Sequence, residues 1–340
     1  MALQAKSSLS LLRFLPLLYL LATHEFLFGQ ESARLTMIFG GDVTLTGAFE
    51  NDVGGDLSFP FQRSRWLGDV DITMVNFENP MTSRGNRIRK EYNFRCNPKY
   101  VTLLKDAGID IVTLANNHVY DFGDEGVFDT IDLLDSAGIK HVGAGKNLAS
   151  ARSPFIFHAR GKRIVFLAYL DSVRTSSLLF ATDSTAGPAN ADLSAMQRDI
   201  QAIRDSADFI VVNLHWGIEK SREPTERQVE LAHRLIDFGA DLIIGHHPHR
   251  LQAIERYHGK VIAYSLGNFV FGGNRRNTYL TAALKITVDS LASRMATAQL
   301  VPVQVRKWQP LLLTGRRAAA LVRYVKRCSS RFPESIFKKR

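Results

Sequence analysis

The sequence predicts an α/β domain, on three observations. Short apolar runs alternate with helical stretches. Glycines close several of the helical stretches, and metal-binding or phosphate-binding residue types recur just after the apolar runs. With 340 residues, 45% hydrophobic and 22% charged, the chain has ample material for a globular core in one large domain or two ordinary ones.

Seven runs read as strands: Leu35–Phe39, Asp71–Val75, Ile109–Leu114, Arg163–Leu170, Phe209–Leu214, Asp241–Ile244 and Val261–Ser265. Four stretches read as helices: Pro98–Ala107, Glu125–Ala137, Ala195–Asp205 and Thr225–Phe238. In the last, Thr225 and Gln228 have the spacing of a capping box. Gly108, Gly138 and Gly239 stand where a helix ends in a left-handed residue. Beyond Gly273, "TYLTAALKITVDS" and "MATAQLVPVQVRKWQP" predict a late pair of strands. No repeat or linker interrupts the chain before about Gly315, so residues 35–314 are expected to form one domain, flanked by an N-terminal segment and a basic tail at 315–340.

The N-terminal segment, residues 1–29, places Lys6 before an apolar run from Leu9 to Ala22 that Arg13 interrupts. A positive start and a short apolar run are the pattern of a secretory signal, and the run is short for a spanning helix. Gly29 is the nearest cleavage candidate, and an uncleaved anchor stays open; either way the protein is expected outside the cytoplasm. Cys96 and Cys328 are too few for a disulfide framework or a cysteine metal knuckle.

Charge is concentrated at the other end. Residues 316–340 hold nine Lys/Arg against the single acid Glu334, a net +8 of the chain's +10. The body is therefore nearly neutral and carries no nucleic-acid module, which argues against DNA or RNA as partner. The tail reads either as a solubilising, partly disordered terminus or as a contact for an anionic membrane or polyanion, in which "RRAAALVRYVKR" would make a basic helix with only a thin apolar stripe.

Six strands each end in a residue suited to a metal or a phosphoryl oxygen. These are Asp42, then Asn76 with Glu78 and Asn79, then Asn116 to His118, then His215, then His246, His247 and His249, and finally Asn268. Strand ends at one edge of an α/β sheet are where such sites assemble. Carboxylates with imidazoles suit manganese, zinc or iron better than calcium or magnesium, and a carboxylate can bridge two ions. In "GHHPH", an extended chain would put His247 and His249 on one side as a ligand pair and leave His246 facing outward or supporting the site. Bland readings compete: Asp42 and Glu78 can serve turns, Asp121 can shape the loop holding His118, and Asn268 can orient substrate or cap a strand.

The motifs "GDVTLTG", "NFENP", "LANNHVYDFG", "HWG", "GHHPH" and "SLGNF" occur in the order found in CapA-type capsule synthesis proteins. From Leu35 to Gly273 the chain resembles that family, which is associated with poly-γ-glutamate capsules and has a calcineurin-like metallophosphatase fold. The resemblance implies a four-layer α/β/β/α sandwich and a metal site for one or two divalent ions. It implies Asp42, Glu78, Asn117, His215, His247 and His249 as ligands, with His118 protonating the leaving group. It also implies an anionic polymer or its membrane synthase as partner. Two departures weaken a tightly held dinuclear centre: Asp42-Val43-Thr44 replaces the usual Asp-x-His opening, and Glu78 replaces the bridging aspartate. A phosphoesterase, an amide hydrolase and a non-catalytic assembly protein remain open.

Overall fold

In the computed structural model, which describes residues 34–56, 58–171, 180–271, 278–290 and 295–338, every predicted strand is present. In chain order the strands are β1 (Leu35–Val43), β2 (Ile72–Phe77), β3 (Ile111–Thr113), β4 (Lys140–Val142), β5 (Ala144–Gly145), β6 (Phe155–Ala159), β7 (Lys162–Leu170) and β8 (Gly187–Pro188). They continue as β9 (Phe209–His215), β10 (Leu242–His246), β11 (Ile254–Tyr257), β12 (Lys260–Ala263), β13 (Asn268–Val270), β14 (Thr278–Ser290), β15 (Met295–Arg306) and β16 (Gln309–Leu312).

Two large sheets result. The first runs β16-β15-β14-β1-β2-β3-β4, with β13 also pairing β1; the second runs β11-β12-β10-β9-β7-β6. Strands β1 to β4 are mutually parallel, as are β7, β9, β10 and β12, so their carboxyl ends gather at one edge of each sheet. Alternation along β1 turns Met37 and Phe39 toward the second sheet, where they meet Phe166, Val211 and Ile244, while Ile38 packs on the opposite face.

Helices cover both outer faces. The helices α1 (Ala48–Val53), α2 (Val101–Asp106) and α3 (Gly123–Ala137) lie on the side of the first sheet, where Phe49, Leu104, Val127 and Leu134 join its core. The helix α4 (Leu148–Arg152) and the helices α5 (Leu193–Arg204) and α6 (Glu226–Asp237) lie over the second, burying Ala151, Ile200 and Leu235. The order of layers is α/β/β/α, the sandwich the resemblance implied. The capping box forms at Thr225 and Gln228, and Gly108, Gly138 and Gly239 all take positive φ.

Three expectations change. The predicted helix Pro98–Ala107 opens as a 3-10 turn, Pro98–Tyr100, before α2 begins, because Pro98 follows the Asn97 cap. The late strand pair is a three-strand meander, with β16 returning through a tight turn in which Lys307 and Trp308 both have positive φ. The C-terminal segment is no loose tail. Residues Gly315–Cys328 form the helix α7, which buries Leu321 and Val325 between the sheets at one end. Ser329 then accepts a 2.9 Å bond from the Ile254 amide, and Phe332 stacks on Tyr264 at 5.3 Å. Apolar residues at 321, 325 and 332 anchor the segment despite its charge.

The N-terminal signal reading falls on residues outside those described. Among the described residues no helix is long and apolar enough to cross a membrane.

Candidate metal centre

The site begins with an irregularity in β1. Register with β2 shifts between Phe39 and Asp42, at Gly40 and Gly41, and such a bulge re-aims the residue after it. Gly41 has no room for a side chain, since a Cβ there would strike the Gly267 carbonyl. Asp42 is thereby presented fully buried at the strand end, opposite Asn76 of β2 and Asn268 of β13.

Asn76 ties the carboxylates together. Its Nδ2 donates to Asp42 Oδ1 at 2.8 Å and to Glu78 Oε2 at 3.2 Å. From the second sheet, His215 ends β9 and His246 ends β10, directly in register. His249 Nδ1 lies 2.9 Å from Asp42 Oδ2, and its Nε2 lies 3.7 Å from Glu78 Oε1. His215 Nε2 lies 3.7 Å from that same Glu78 oxygen and 2.9 Å from Asn117 Oδ1. The His247 ring lies 4.7 Å from that of His215 and 6.1 Å from that of His249. Six of the predicted residues therefore converge: Asp42, Glu78, Asn117, His215, His247 and His249.

"GHHPH" converges by a route that extended alternation does not anticipate. His247 and His249 take φ of 94° and 55°, so this stretch is a left-handed turn and not an extended chain. His246 does not face outward. As the last residue of a buried strand it points inward, with Nδ1 3.4 Å from Asp42 Oδ1.

The electrostatics are those of a cluster built for a cation. Burial pushes the Glu78 carboxyl well above its ordinary value, and its Oε1 has no hydrogen-bond partner. Burial would likewise raise Asp42, but bonds and charge from His246 and His249 outweigh it and hold that group well below the carboxylate range. Burial, then repulsion by His249, drives His247 down to about 4, and its Nδ1 is also unpartnered. Burial opposes charging His249 too, yet Glu78 and Asp42 lift it to about 9. Among the described residues, two groups of three have donor atoms within 4.8 Å of one another: Glu78 with His247 and His249, and Asp42 with Glu78 and His215. Glu78 belongs to both, the place a bridging carboxylate takes. The residues fit a divalent cation: orphaned, buried nitrogen and oxygen atoms face one another with the chemistry transition metals accept.

A second assembly adjoins the first. His118 Nδ1 is 2.7 Å from Asp121 Oδ2, and the Phe94 ring stacks on the imidazole at 3.9 Å. Asp121 is held by Lys90 Nζ at 2.5 Å and by the Phe94 amide at 2.6 Å. Lys90 also donates to the Asn117 carbonyl at 2.6 Å. Burial lowers the His118 pKa, with Asp121 opposing. Asn116 accepts from the His118 amide and donates to the Phe77 carbonyl, a supporting role. Asn268, itself buried, lines the same cleft as His118 and His249, with its Oδ1 unpartnered. Sequence reasoning missed Lys90, and gave Asn76 no role of its own. For Lys90 the only signal was a basic stretch, "RIRKEYNFR", with no ligand spacing.

Fold and site together define an α/β/β/α protein with a carboxylate–imidazole centre between its two sheets. The chain belongs to the family described as bacterial capsule synthesis protein PGA_cap, which matches residues 36–273. Over 297 residues it is 31% identical to the capsule biosynthesis protein CapA of Bacillus anthracis, covering 84% of this chain and 71% of that protein. It is 38% identical over 244 residues to the PGA biosynthesis protein CapA of Bacillus subtilis, covering 70% of this chain and 63% of that one. A probable polyglutamine synthesis accessory protein of Mycobacterium tuberculosis is 30% identical over 279 residues, with 77% and 73% covered. Among solved structures, a hypothetical protein from Thermus thermophilus superposes with a TM-score of 0.51 at 18% identity, covering 79% of this chain and 99% of that one.

Proposed function

We propose that the protein is a metal-dependent, hydrolase-like component of capsule or exopolymer biosynthesis, of the poly-γ-glutamate type, that cleaves a phosphoester or an amide. One observation carries this: a buried carboxylate–imidazole cluster and the His118–Asp121–Lys90 chain open on one cleft. Asp42, Glu78, Asn117, His215, His247 and His249 would hold one or two ions of manganese, zinc or iron. A divalent cation there supplies Lewis-acid activation of the scissile group and of water.

The side chains do the rest. Asp121 accepts from His118 Nδ1, so the protonated ring would carry its second hydrogen on Nε2, and that proton would go to the leaving group. Lys90 pairs with Asp121 and steadies it against His118. Phe94 fixes the ring plane by stacking, and Asn76 fixes both carboxylates. Asn268 Oδ1 is free to accept a hydrogen bond from substrate in the cleft.

His118→Ala should retain metal and lower kcat on phosphoester or glutamyl-amide substrates by about 10²–10⁴. Unchanged hydrolysis and unchanged polymer output in a His118→Ala strain would contradict the assignment. A second reading is favoured by Thr44, which stands where an Asp-x-His opening would supply a ligand: a non-catalytic assembly protein that binds polymer or a membrane synthase and keeps the metal for structure. Under it, His118→Ala has no effect. In either reading the protein works outside the cytoplasm, in keeping with the signal-like N-terminal pattern.

A further inference from the structure

The cleft beside the metal centre has a volume of about 1060 Å³ and reaches from His118 and His249 to the helix α7. Its lining is charged in one sense. Among the described residues, Lys220, Arg222, Arg250, Arg317 and Arg327 face a single acid, Glu219. Elsewhere the half-buried Arg152 and Arg204 pair with Asp199 and Asp241, and the exposed Arg227 pairs with Asp171. The cleft arginines are exposed and gathered around one opening. Among the described residues none of Arg222, Arg250 or Arg327 has a carboxylate partner, and Arg317 bonds only the neutral Gln304 Oε1, at 2.6 Å.

Spacing decides what they suit. Arg317, Ala320, Leu321, Tyr324 and Arg327 line the cleft at intervals of three and four, one stripe of α7. Ten residues of helix span about 15 Å. A single phosphate occupies far less than that, whereas an extended chain advancing about 3.5 Å per residue would lay roughly four units along it. A concave cleft also excludes a flat bilayer surface. Arg317 and Arg327 lie beyond the family match, which ends at residue 273.

We propose that Arg222, Arg250, Arg317 and Arg327 form a subsite for an extended polycarboxylate chain, holding it in the cleft with one end at the metal centre. The position of the scissile bond rests on the hydrolase reading above; the binding itself does not.

The test uses the full chain and a fluorescent oligo-glutamate of about ten residues, with oligo-glutamine as the uncharged comparison, read by anisotropy. Two variants remove equal charge from exposed positions. Arg222→Gln/Arg317→Gln/Arg327→Gln alters the cleft, and Arg316→Gln/Arg323→Gln/Lys326→Gln alters α7 outside it. The expected result is oligo-glutamate binding weakened about tenfold by the first variant, as three surface-strength ion pairs predict, and under about twofold by the second. Oligo-glutamine should not bind. Equal loss in both variants, no loss in either, or no oligo-glutamate binding while vesicles of phosphatidylglycerol and phosphatidylcholine are captured would each overturn the proposal. Selective loss alongside unchanged hydrolysis by His118→Ala would keep the subsite and reject the hydrolase; His118-dependent hydrolysis without selective loss would do the reverse.

Discussion

At Glu78, burial and charge pull in opposite directions. A fully buried carboxylate with an unpartnered oxygen is a costly arrangement for a folded chain to retain. Imidazole nitrogens on two sides, 3.7 Å away from that oxygen, identify what would relieve it. The same logic separates Lys90 from ordinary surface lysines, because it holds a completely buried aspartate against His118. Lys90→Met should leave metal content unchanged and lower kcat by about tenfold, less than His118→Ala, while shifting the pH dependence of kcat with little change in KM. A pH-rate profile on both variants checks this. A KM effect alone would mean that Lys90 touches substrate instead. Ligand types were legible in the sequence because strand ends announce them. Lys90 was not, since a loop brings it to Asp121, 31 residues along the chain. The left-handed turn at His247 and His249 was also hidden, because positive φ is uncommon for any residue but glycine and nothing in "GHHPH" signals it.

At the scale of elements, the strands and caps were readable because hydrophobic period and capping chemistry are local. Contacts made at long range were not. The segment after Gly315 reads as a charged terminus by composition, yet Leu321 and Val325 are enough to dock it as α7. Leu321→Ala should lower stability by about 2–3 kcal/mol in a denaturant melt, as large-to-small changes in cores do; a loss below about 0.5 kcal/mol would mean α7 is only loosely held. The start of β1 makes a second test. Asp71 accepts from the Thr36 amide at 2.8 Å and from Arg160 Nε at 2.7 Å. Burial would raise its pKa, but these bonds more than offset it and hold the group below its usual 3.8. A depressed carboxyl stabilises the fold above its unfolded pKa, and that contribution disappears as pH falls through the folded value. Asp71→Asn should therefore be less stable than wild type at neutral pH, with the difference shrinking below about pH 4. A pH series of melts reads it directly.

Over the whole molecule, the centre is a joint between two halves. Asp42, Asn76, Glu78 and Asn117 come from the first sheet; His215, His246, His247 and His249 come from the second. The two sheets meet there through polar groups and elsewhere through an apolar core. A cation bound by both halves should add to stability by mass action, about 4 kcal/mol when free metal exceeds its Kd a thousandfold. Chelation should accordingly lower Tm, and adding back manganese, zinc or iron should restore it. The basic balance of the chain also gains a place at this scale. Instead of trailing from the domain, α7 is docked, and two of its charges, Arg317 and Arg327, line the cleft that leads to the centre.

The most direct test is metal content by mass spectrometry on protein purified without chelator or nickel affinity, beside a His247→Ala/His249→Ala variant whose fold is checked by circular dichroism. About one or two equivalents in the wild type, lost in the variant, is the expected result for a carboxylate–imidazole centre of this kind. Two folded proteins, neither holding metal even after incubation with manganese, zinc or iron, would contradict it.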